Sequence, residues 1–385
     1  MSSLNREQDR PLILDIGSNY FRMGWAGEDF PDIIAPSIYV DPMDFLFTSD
    51  EIMGLEQILF KDNPLKLLVG HEAIKYRNIL KIHEFVKEKN YKMLLHFFNE
   101  YYQNLQISGD YQFKQPIIIL TPFYMSDLEK EKYKEVFLNT FGFPSILFLP
   151  ESQAILSTLQ KSSGVVLNMG DSHTSITTIF HGFTNIMAKD IFPISGKDLT
   201  NYLLNLLLSK KVIDDSIYLD EDIAKEIKDK LSICVLTPDE EVKRIKEGLT
   251  RYDRIVDLPN GSKLKVNKER LLLSEPLFNP KIIHIDHVGL AEAVAKVVMV
   301  WERENWEELL SNIILSGGAS LIPGLQERLK KEIASFFADM LKPKIDVIAA
   351  SGRENMGWIG ASILYSADKL KKGWICSSNT EFDSK

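Results

Sequence analysis

Two stretches of similar shape decide the fold: PLILDIGSNYFRMGWAG, residues 11 to 27, and GVVLNMGDSHTSITTIF, residues 164 to 180. In each, an apolar run reaches Asp15 or Asn168, then a glycine, a short polar turn and a second β-rich run. A carboxylate in an apolar strand is costly unless it is paired or lies beside a cation, so Asp15 marks a candidate site. The repeat, at a separation of roughly 150 residues, predicts two β-hairpins in similar lobes that face each other across a cleft.

The turns of these hairpins have the composition of anion-binding loops. Gly17 and Gly170 would let the backbone approach a ligand, and successive N–H groups of such turns converge on phosphate oxygens. Asp15 would then face a phosphate-bound Mg²⁺. For either motif alone, a turn glycine with no ligand is the better explanation, but the matching spacing of the two favours a phosphate site.

Composition excludes several classes of protein. The 385 residues predict two or more lobes, and a net charge of −9 argues against a nucleic-acid surface. Cys234 and Cys376 are the only cysteines and lie far apart, which fits a reducing, intracellular setting without disulfides or a thiolate metal site. The polar N-terminus lacks a signal core, and the longest apolar tract is interrupted by Glu292 and Lys296, so no membrane span is expected.

The remaining patterns indicate alternating strands and helices. PIIILTP at residues 116 to 122 predicts a buried strand, and the next helix is predicted from Asp127 to about Phe141, with Ser126 and Glu129 forming a capping box. This alternation is typical of an α/β lobe.

The second half contains a helical insertion and a second glycine-rich turn. Residues 198 to 255 have helical patterns, and Asn260-Gly261 predicts a hairpin. Residues 312 to 337 predict strand, glycine turn and helix, an arrangement that places a helix N-terminus against a nucleotide, with Gly317 and Gly318 at the adenosine.

A predicted division of the chain follows. The first lobe comprises residues 1 to 160, with an irregular excursion at about 41 to 66, and is joined by residues 354 to 385. The second lobe comprises residues 161 to 353, with an inserted subdomain at about 196 to 285.

The chain resembles actin and the actin-related proteins from about residue 12 to 376. The motifs that carry this resemblance occur in order: DIGSNYFRMGWAGEDFP, PSI, VGHEA, SGKDLTNYL, IKDKL, LPNG, NKERLLLSEPLFNP, LSGGASLIPGL and WIGASIL. Hairpins alone indicate the wider superfamily of sugar kinases, chaperone ATPases and actins, whereas FNP, LPNG and WIGASIL are specific to the actin branch. The resemblance implies an α/β, actin-like fold of two lobes and four subdomains, with ATP or ADP and Mg²⁺ or Ca²⁺ in the central cleft.

The resemblance also implies the contacts of that nucleotide. Asp15 would hold the metal ion through water, and Gln153 would position the attacking water. The expected nucleotide-binding residues are Gly17, Ser18, Asn19 and Arg22 in the first hairpin, Gly170, Asp171, Ser172 and His173 in the second, Gly196, Lys228 and Asp229 at the sugar and base, and Gly317, Gly318, Ser320 and Ile322 on the far side.

Several positions depart from the family pattern. Asn168 replaces the second hairpin's aspartate, and Ser175 replaces a histidine that organises the lytic water, so metal binding and hydrolysis are both expected to weaken. Arg22 replaces a lysine and keeps its charge. Asn19 replaces a glycine and is expected to adopt positive φ. Glu354 stands in place of a lysine beside the adenine, which is expected to lower affinity or change the pocket's rim.

The function expected from these features is that of a nucleotide-binding, cytoskeletal or complex-scaffolding actin-related protein, at most a slow ATPase. Its expected location is the cytoplasm, with the nucleus as the alternative, and its expected partners are itself, actin, other actin-related proteins or a multi-subunit complex. A filament-forming ATPase is the second reading. It is favoured by Gln153 and by the apolar segment after FNP (Lys281, Ile282, Ile283 and Ile285), and it is opposed by Asn168, Ser175 and the divergent excursion. A small-molecule kinase of the same superfamily is the third and least favoured reading. A kinase would need a catalytic aspartate in the cleft, and none besides Asp15 is evident.

Overall fold

The computed structural model describes residues 10 to 47, 67 to 77, 80 to 105, 112 to 210 and 219 to 377. Most of the predicted excursion at 41 to 66 and the end of the chain therefore lie outside the described residues. Contacts divide the chain into two units: the first unit is Met1–Ala154 with Gly357–Lys385, and the second unit is Ile155–Met356.

The strands alternate with helices along the chain. They are β1 (Leu12–Ile16), β2 (Tyr20–Trp25), β3 (Ile33–Pro36), β4 (Tyr39–Val40), β5 (Leu68–Val69), β6 (Ile117–Thr121), β7 (Ser145–Pro150), β8 (Gly164–Met169), β9 (Thr174–Phe180), β10 (Phe183–Phe192), β11 (Arg254–Asp257), β12 (Lys263–Val266), β13 (Ile313–Ser316), β14 (Val347–Ile348) and β15 (Ile375–Cys376).

The α-helices are α1 (His71–Ile74), α2 (Tyr91–Gln103), α3 (Asp127–Lys134), α4 (Glu151–Ser157), α5 (Gly196–Leu208), α6 (Glu221–Leu231), α7 (Pro238–Lys246), α8 (Glu269–Leu272), α9 (Glu275–Phe278), α10 (Leu290–Met299), α11 (Arg303–Leu310), α12 (Leu325–Ala334) and α13 (Met356–Ser366). Short 3₁₀ turns include Pro280–Ile283, Gly318–Leu321 and Arg353–Asn355. None of the helices in the described part of the chain is long and apolar enough to cross a bilayer.

The main sheets of the two units repeat one topology. In the first unit the strand order is β15-β7-β6-β1-β2-β3, and in the second it is β10-β9-β8-β13-β14. In both, an antiparallel three-strand meander begins at the strand that carries the hairpin's polar residue, and that strand pairs on its other side with a parallel strand. The duplication predicted from the two hairpin sequences is confirmed at the level of sheet topology.

Strand alternation places the two polar residues on equivalent faces. In β1, Leu12 and Leu14 pack into one apolar cluster, while Ile13 packs on the opposite face with Trp358, whose indole N–H donates to the Ile13 carbonyl at 3.2 Å. In β8, Val165, Leu167 and Met169 enter the main core of the second unit, while Val166 packs in a separate cluster. Since side chains alternate along a strand, Asp15 follows the face of Ile13, and Asn168 follows that of Val166.

The local predictions outside the hairpins are also met. Ser126 and Glu129 form the predicted capping box at the start of α3, which continues into a π-helical turn, Glu135–Thr140, before Gly142 adopts positive φ. The Asn260-Gly261 hairpin joins β11 and β12, and the predicted strand, glycine turn and helix are β13, Gly318–Leu321 and α12.

Candidate functional site

The first hairpin (β1 and β2) is closed by its own backbone. The amide of Gly17 donates to the carbonyl of Tyr20 at 3.1 Å, and a Cβ on Gly17 would lie 2.7 Å from that oxygen. Only glycine fits this close approach, which occurs within the hairpin itself. The closure sets Asp15 directly across from Arg22 in the register of the two strands.

The carboxylate of Asp15 is paired within the same hairpin. Arg22 Nη1 donates to Asp15 Oδ2 at 2.9 Å, and both side chains are largely buried. Burial raises the pKa of Asp15, while the guanidinium charge and hydrogen bond of Arg22 act in the opposite direction. The residue predicted to hold a metal ion is thus already bound to the residue predicted to hold phosphate.

The tip of the first hairpin is held by a residue that sequence reasoning did not select. The Ser37 hydroxyl donates to the Gly17 carbonyl at 2.7 Å, and the Ser37 amide donates to the Asn19 carbonyl at 3.0 Å. Its only sequence signal was its place in the PSI motif. The expectation of positive φ at Asn19 is wrong, because Asn19 is not among the described residues with positive φ. Asn19 therefore needs no glycine-like freedom here, and Ser18 is half-buried beside it.

The second hairpin (β8 and β9) repeats this geometry with a neutral cross-strand pair. The amide of Gly170 donates to the carbonyl of His173 at 2.9 Å, and a Cβ on Gly170 would lie 2.9 Å from that oxygen. Asn168 and Ser175 occupy the cross-strand positions that Asp15 and Arg22 occupy in the first hairpin. The backbone is retained, and the ion pair is replaced by two neutral side chains.

The tip of the second hairpin contacts the start of helix α5. The Gly196 amide donates to the Gly170 carbonyl and the Lys197 amide to the Asp171 carbonyl, both at 2.9 Å. A Cβ on Gly196 would meet Asp171 Cα at 3.3 Å, so a small residue suits this contact. The predicted residues 170, 171 and 196 are therefore brought together.

The hydroxyl of Ser172 has no hydrogen-bond partner in the part of the chain that the structure describes. Ser172 Oγ is fully buried and makes no hydrogen bond with the described residues. A buried hydroxyl without a partner is unfavourable, and hydrogen bonding to an incoming acceptor would relieve that cost. This donor lies at the hairpin tip, next to the exposed His173 and the N-terminal end of α5, a place that suits an anion.

Lys228 fastens α6 to α5 below this tip. Its ammonium donates to the Gly196 carbonyl at 2.9 Å and to Thr200 Oγ1 at 2.8 Å, and it lies 3.8 Å from Asp229. Burial lowers the pKa of Lys228, against the opposing charge of Asp229. Lys228 therefore holds α6 against α5 at the position predicted for the sugar and base. Asp229, its neighbour at that position, is exposed.

The glycine turn (residues 317 to 320) packs against the second hairpin. Gly317 has φ of 83°, and a Cβ there would collide with the Met169 carbonyl and lie 2.7 Å from Asn168 Oδ1, so its glycine is required by the fold. Gly318, in contrast, has open space around its Cα. Ser320 donates its hydroxyl to the Gly317 carbonyl at 2.6 Å, which stiffens the turn.

Two further predicted residues lie elsewhere. Ile322 is buried and packs in the main core of the second unit. Gln153 is exposed on α4 and belongs to the first unit.

A duplicated sheet with one glycine-closed hairpin in each copy defines the class of actin-like α/β proteins. A family model described as actin matches residues 6–384, and the chain belongs to the actin family. Proteins of this family generally bind a nucleotide with a divalent cation.

The residues present fit a nucleotide better than a metal ion by itself. Among the described residues, no three His, Cys, Asp or Glu side chains form a group that could hold a metal. Asp15 is a single carboxylate, so a divalent cation here would take most of its oxygen ligands from phosphate and water. At the tip of the second hairpin, the Gly170, Gly196 and Lys197 amides are already bonded within the protein, and the Ser172 hydroxyl is the buried side-chain donor that lacks a partner among the described residues.

Proposed function

We propose that the protein is a divergent actin-related protein that binds ATP or ADP with Mg²⁺ or Ca²⁺ and serves as a cytoskeletal or complex-scaffolding subunit with little or no hydrolysis. The observation that carries the proposal is the buried, unpartnered Ser172 hydroxyl at the tip of the second hairpin. A phosphate oxygen is the acceptor that suits this donor, because the hairpin tip is bonded to the N-terminal end of α5, where the helix dipole favours negative charge.

Slow hydrolysis follows from the neutral pair in the second hairpin. Asn168 cannot polarise a metal-bound water as a carboxylate does, and Ser175 cannot accept a proton near neutral pH. Gln153 could orient water, but the cross-strand pair Asn168 and Ser175 would supply neither an acid nor a base to assist it. The chemistry that a bound cation would supply is neutralisation of phosphate charge, which favours retention of nucleotide as much as its cleavage.

A role in assemblies is supported by an exposed apolar surface on β10. Phe183, Ile186 and Met187 are 76%, 82% and 73% exposed, next to an irregularity in the pairing of β9 with β10. Contiguous exposed apolar side chains are typical of protein-binding surfaces. The proposed partners are a second copy, actin, other actin-related proteins or a multi-subunit complex.

The structure of the segment after FNP supports filament formation less strongly than the sequence of that segment does. Ile283 and Ile285 pack against the core of the second unit, and Ile282 is the apolar member of the segment that is exposed, at 39%. A filament-forming ATPase therefore remains the second candidate, with the β10 surface as its main support.

The test measures bound nucleotide and phosphate release by the purified protein with Mg²⁺, before and after Asn168→Asp. We expect bound nucleotide with negligible phosphate release, and release at least about tenfold faster in Asn168→Asp. Asn201→Asp, on the exposed side of α5, is the control with the same change of charge. Absence of bound nucleotide would refute the proposal. Rapid phosphate release by the unaltered protein, together with ATP-dependent pelleting, would favour the filament-forming ATPase.

A further inference from the structure

The turn between β11 and β12 contains an asparagine that is followed by glycine. Asn260 is the only asparagine of the chain that precedes a glycine. The Gly261 amide donates to the Leu258 carbonyl at 2.9 Å, and this bond closes a β-turn whose central residues are Pro259 and Asn260. The Leu258 amide donates to the Ser262 carbonyl, also at 2.9 Å. Asn260 and Gly261 are both exposed at the end of this hairpin.

The side-chain oxygen of Asn260 accepts two hydrogen bonds from one residue. The Ser262 amide donates to Asn260 Oδ1 at 3.0 Å, and the Ser262 hydroxyl donates to the same oxygen at 2.6 Å. Two donors on one carbonyl oxygen stabilise the negative charge that develops there when a nucleophile adds to the carbonyl carbon. The side-chain carbon Cγ of Asn260 is therefore an activated electrophile next to the backbone nitrogen of Gly261.

The glycine leaves that nitrogen accessible. Gly261 has φ of 81°, and the position of a Cβ on it has open space around it. A side chain after the asparagine would shield the nitrogen and restrict the backbone rotation that brings it to Cγ, and glycine does neither. The hydrogen bond from Gly261 to Leu258 must open before the nitrogen can react, and a single bond in an exposed turn opens by local fluctuation.

We propose that Asn260 is a site of spontaneous deamidation. The Gly261 nitrogen loses its proton and bonds to Asn260 Cγ, the bond from Cγ to Nδ2 breaks, and Nδ2 takes up a proton and leaves as ammonia. Water then adds to one of the two carbonyl carbons of the resulting succinimide ring and breaks its bond to nitrogen. Opening at the backbone carbonyl gives isoaspartate, and opening at Cγ gives aspartate. One water is consumed, one ammonia is released, and the turn gains a carboxylate that is ionised at neutral pH.

The two products change the hairpin in different ways. Aspartate keeps the oxygen that Ser262 binds, so the turn is retained and only its charge changes. Isoaspartate inserts the Cβ atom into the main chain before Gly261, so the hydrogen bonds of Leu258 across the turn no longer fit. Leu258 and Leu264 are buried in the core of the second unit, so isoaspartate weakens the end of a hairpin that is anchored there.

The experiment follows the mass of the peptide that contains Asn260 while the purified full-length protein is incubated at mildly alkaline pH and physiological temperature. Deamidation raises this mass by about 1 Da, and chromatography separates the isoaspartate and aspartate products. Asn139, which is exposed but precedes Thr140, is the internal control and should stay unconverted while Asn260 converts. A sample digested without incubation corrects for conversion during proteolysis.

Variants test the parts of the mechanism. Ser262→Ala removes one donor to Oδ1 and should slow conversion about fivefold, the effect of one hydrogen bond. Asn260→Gln should abolish the mass change, because its longer side chain closes a less favourable ring. Asn260→Asp supplies the charge without the main-chain insertion, so hydrogen exchange of β11 and β12 should be faster in the incubated wild type than in this variant. Conversion of Asn260 no faster than that of Asn139 would overturn the proposal, and undiminished conversion in Ser262→Ala would overturn activation by Ser262.

Discussion

The first and second hairpins close in the same way but stabilise their polar residues differently. Each has a glycine amide bound to the carbonyl three residues later and a cross-strand pair of polar side chains just below the turn. In the first hairpin this pair is Asp15 with Arg22, joined at 2.9 Å; in the second it is Asn168 with Ser175. One backbone can therefore present a charged or a neutral pair, and the side chains alone decide what chemistry the hairpin can perform.

The largest expected effect is loss of the charged pair. Arg22→Ala leaves the buried Asp15 without its cation and should lower the free energy of unfolding by about 4 kcal/mol. Removal of the guanidinium also removes the influence that lowers the pKa of Asp15. Protonation of Asp15 therefore stabilises the folded variant, and the defect should grow as the pH rises above the ordinary aspartate pKa of 3.8.

Urea unfolding at several pH values measures this difference. Ser175→Ala, at the equivalent position of the second hairpin, is the control and should cost less than about 1 kcal/mol. Equal losses of unfolding free energy in the two variants would mean that the charged pair of the first hairpin contributes no more to stability than the neutral pair of the second.

A second test concerns Glu275, a buried carboxylate that lies farther from its arginine than Asp15 lies from Arg22. Glu275 lies 3.8 Å from Arg328, and burial raises the pKa of Glu275 to about 7 from 4.5. Because the folded-state pKa lies above the unfolded value, the stability it contributes is present below about pH 4.5 and is lost as pH rises through about 7, a loss of about 3 kcal/mol.

Glu275→Gln should flatten this dependence. The amide does not ionise, so the variant should retain its stability between pH 4.5 and 8, as measured by thermal or urea unfolding across that range. Glu327→Gln is the control, because Glu327 is exposed on the same helix as Arg328. The same steep dependence in Glu275→Gln would show that another group titrates.

Transfer of the charged pair is the next largest change. Asn168→Asp places a carboxylate opposite Ser175, without an arginine in that register position, and should cost about 2 kcal/mol in the absence of nucleotide. Asn168→Asp with Ser175→Arg should recover most of this loss, as a double-mutant cycle would show. Simple additivity of the two substitutions would indicate that the second hairpin cannot accept the first hairpin's pair.

The smallest expected effect is on nucleotide affinity. Ser172→Ala removes the unpartnered hydroxyl and should weaken nucleotide binding about fivefold, which corresponds to about 1 kcal/mol for one hydrogen bond. Stability of the free protein should be unchanged or slightly higher, because the substitution removes an unsatisfied buried group. Titration calorimetry measures the affinity, and Ser209→Ala on the exposed end of α5 is the control. Undiminished affinity would remove Ser172 from the phosphate site.

The sequence by itself determined the duplication, the strands of both hairpins, the capping box at Ser126 and the membership of the actin family. These follow from local patterns: apolar runs form strands, and glycine and polar residues form the turns between them. It also showed that the second hairpin lacks the charged pair of the first, since Asn168 and Ser175 can be read directly from the chain.

Only the tertiary structure decided which polar groups are satisfied. Neither the hydrogen bond from Arg22 to Asp15 nor the one from Arg353 to Ser320 could be read from spacing. The first depends on side-chain direction within one hairpin, and the second joins residues 33 positions apart in the chain. The same holds for the unpartnered atoms of Ser172 and Glu354. Burial and hydrogen-bond satisfaction are properties of the packed chain, since they depend on every segment that surrounds a group and not on its neighbours in sequence.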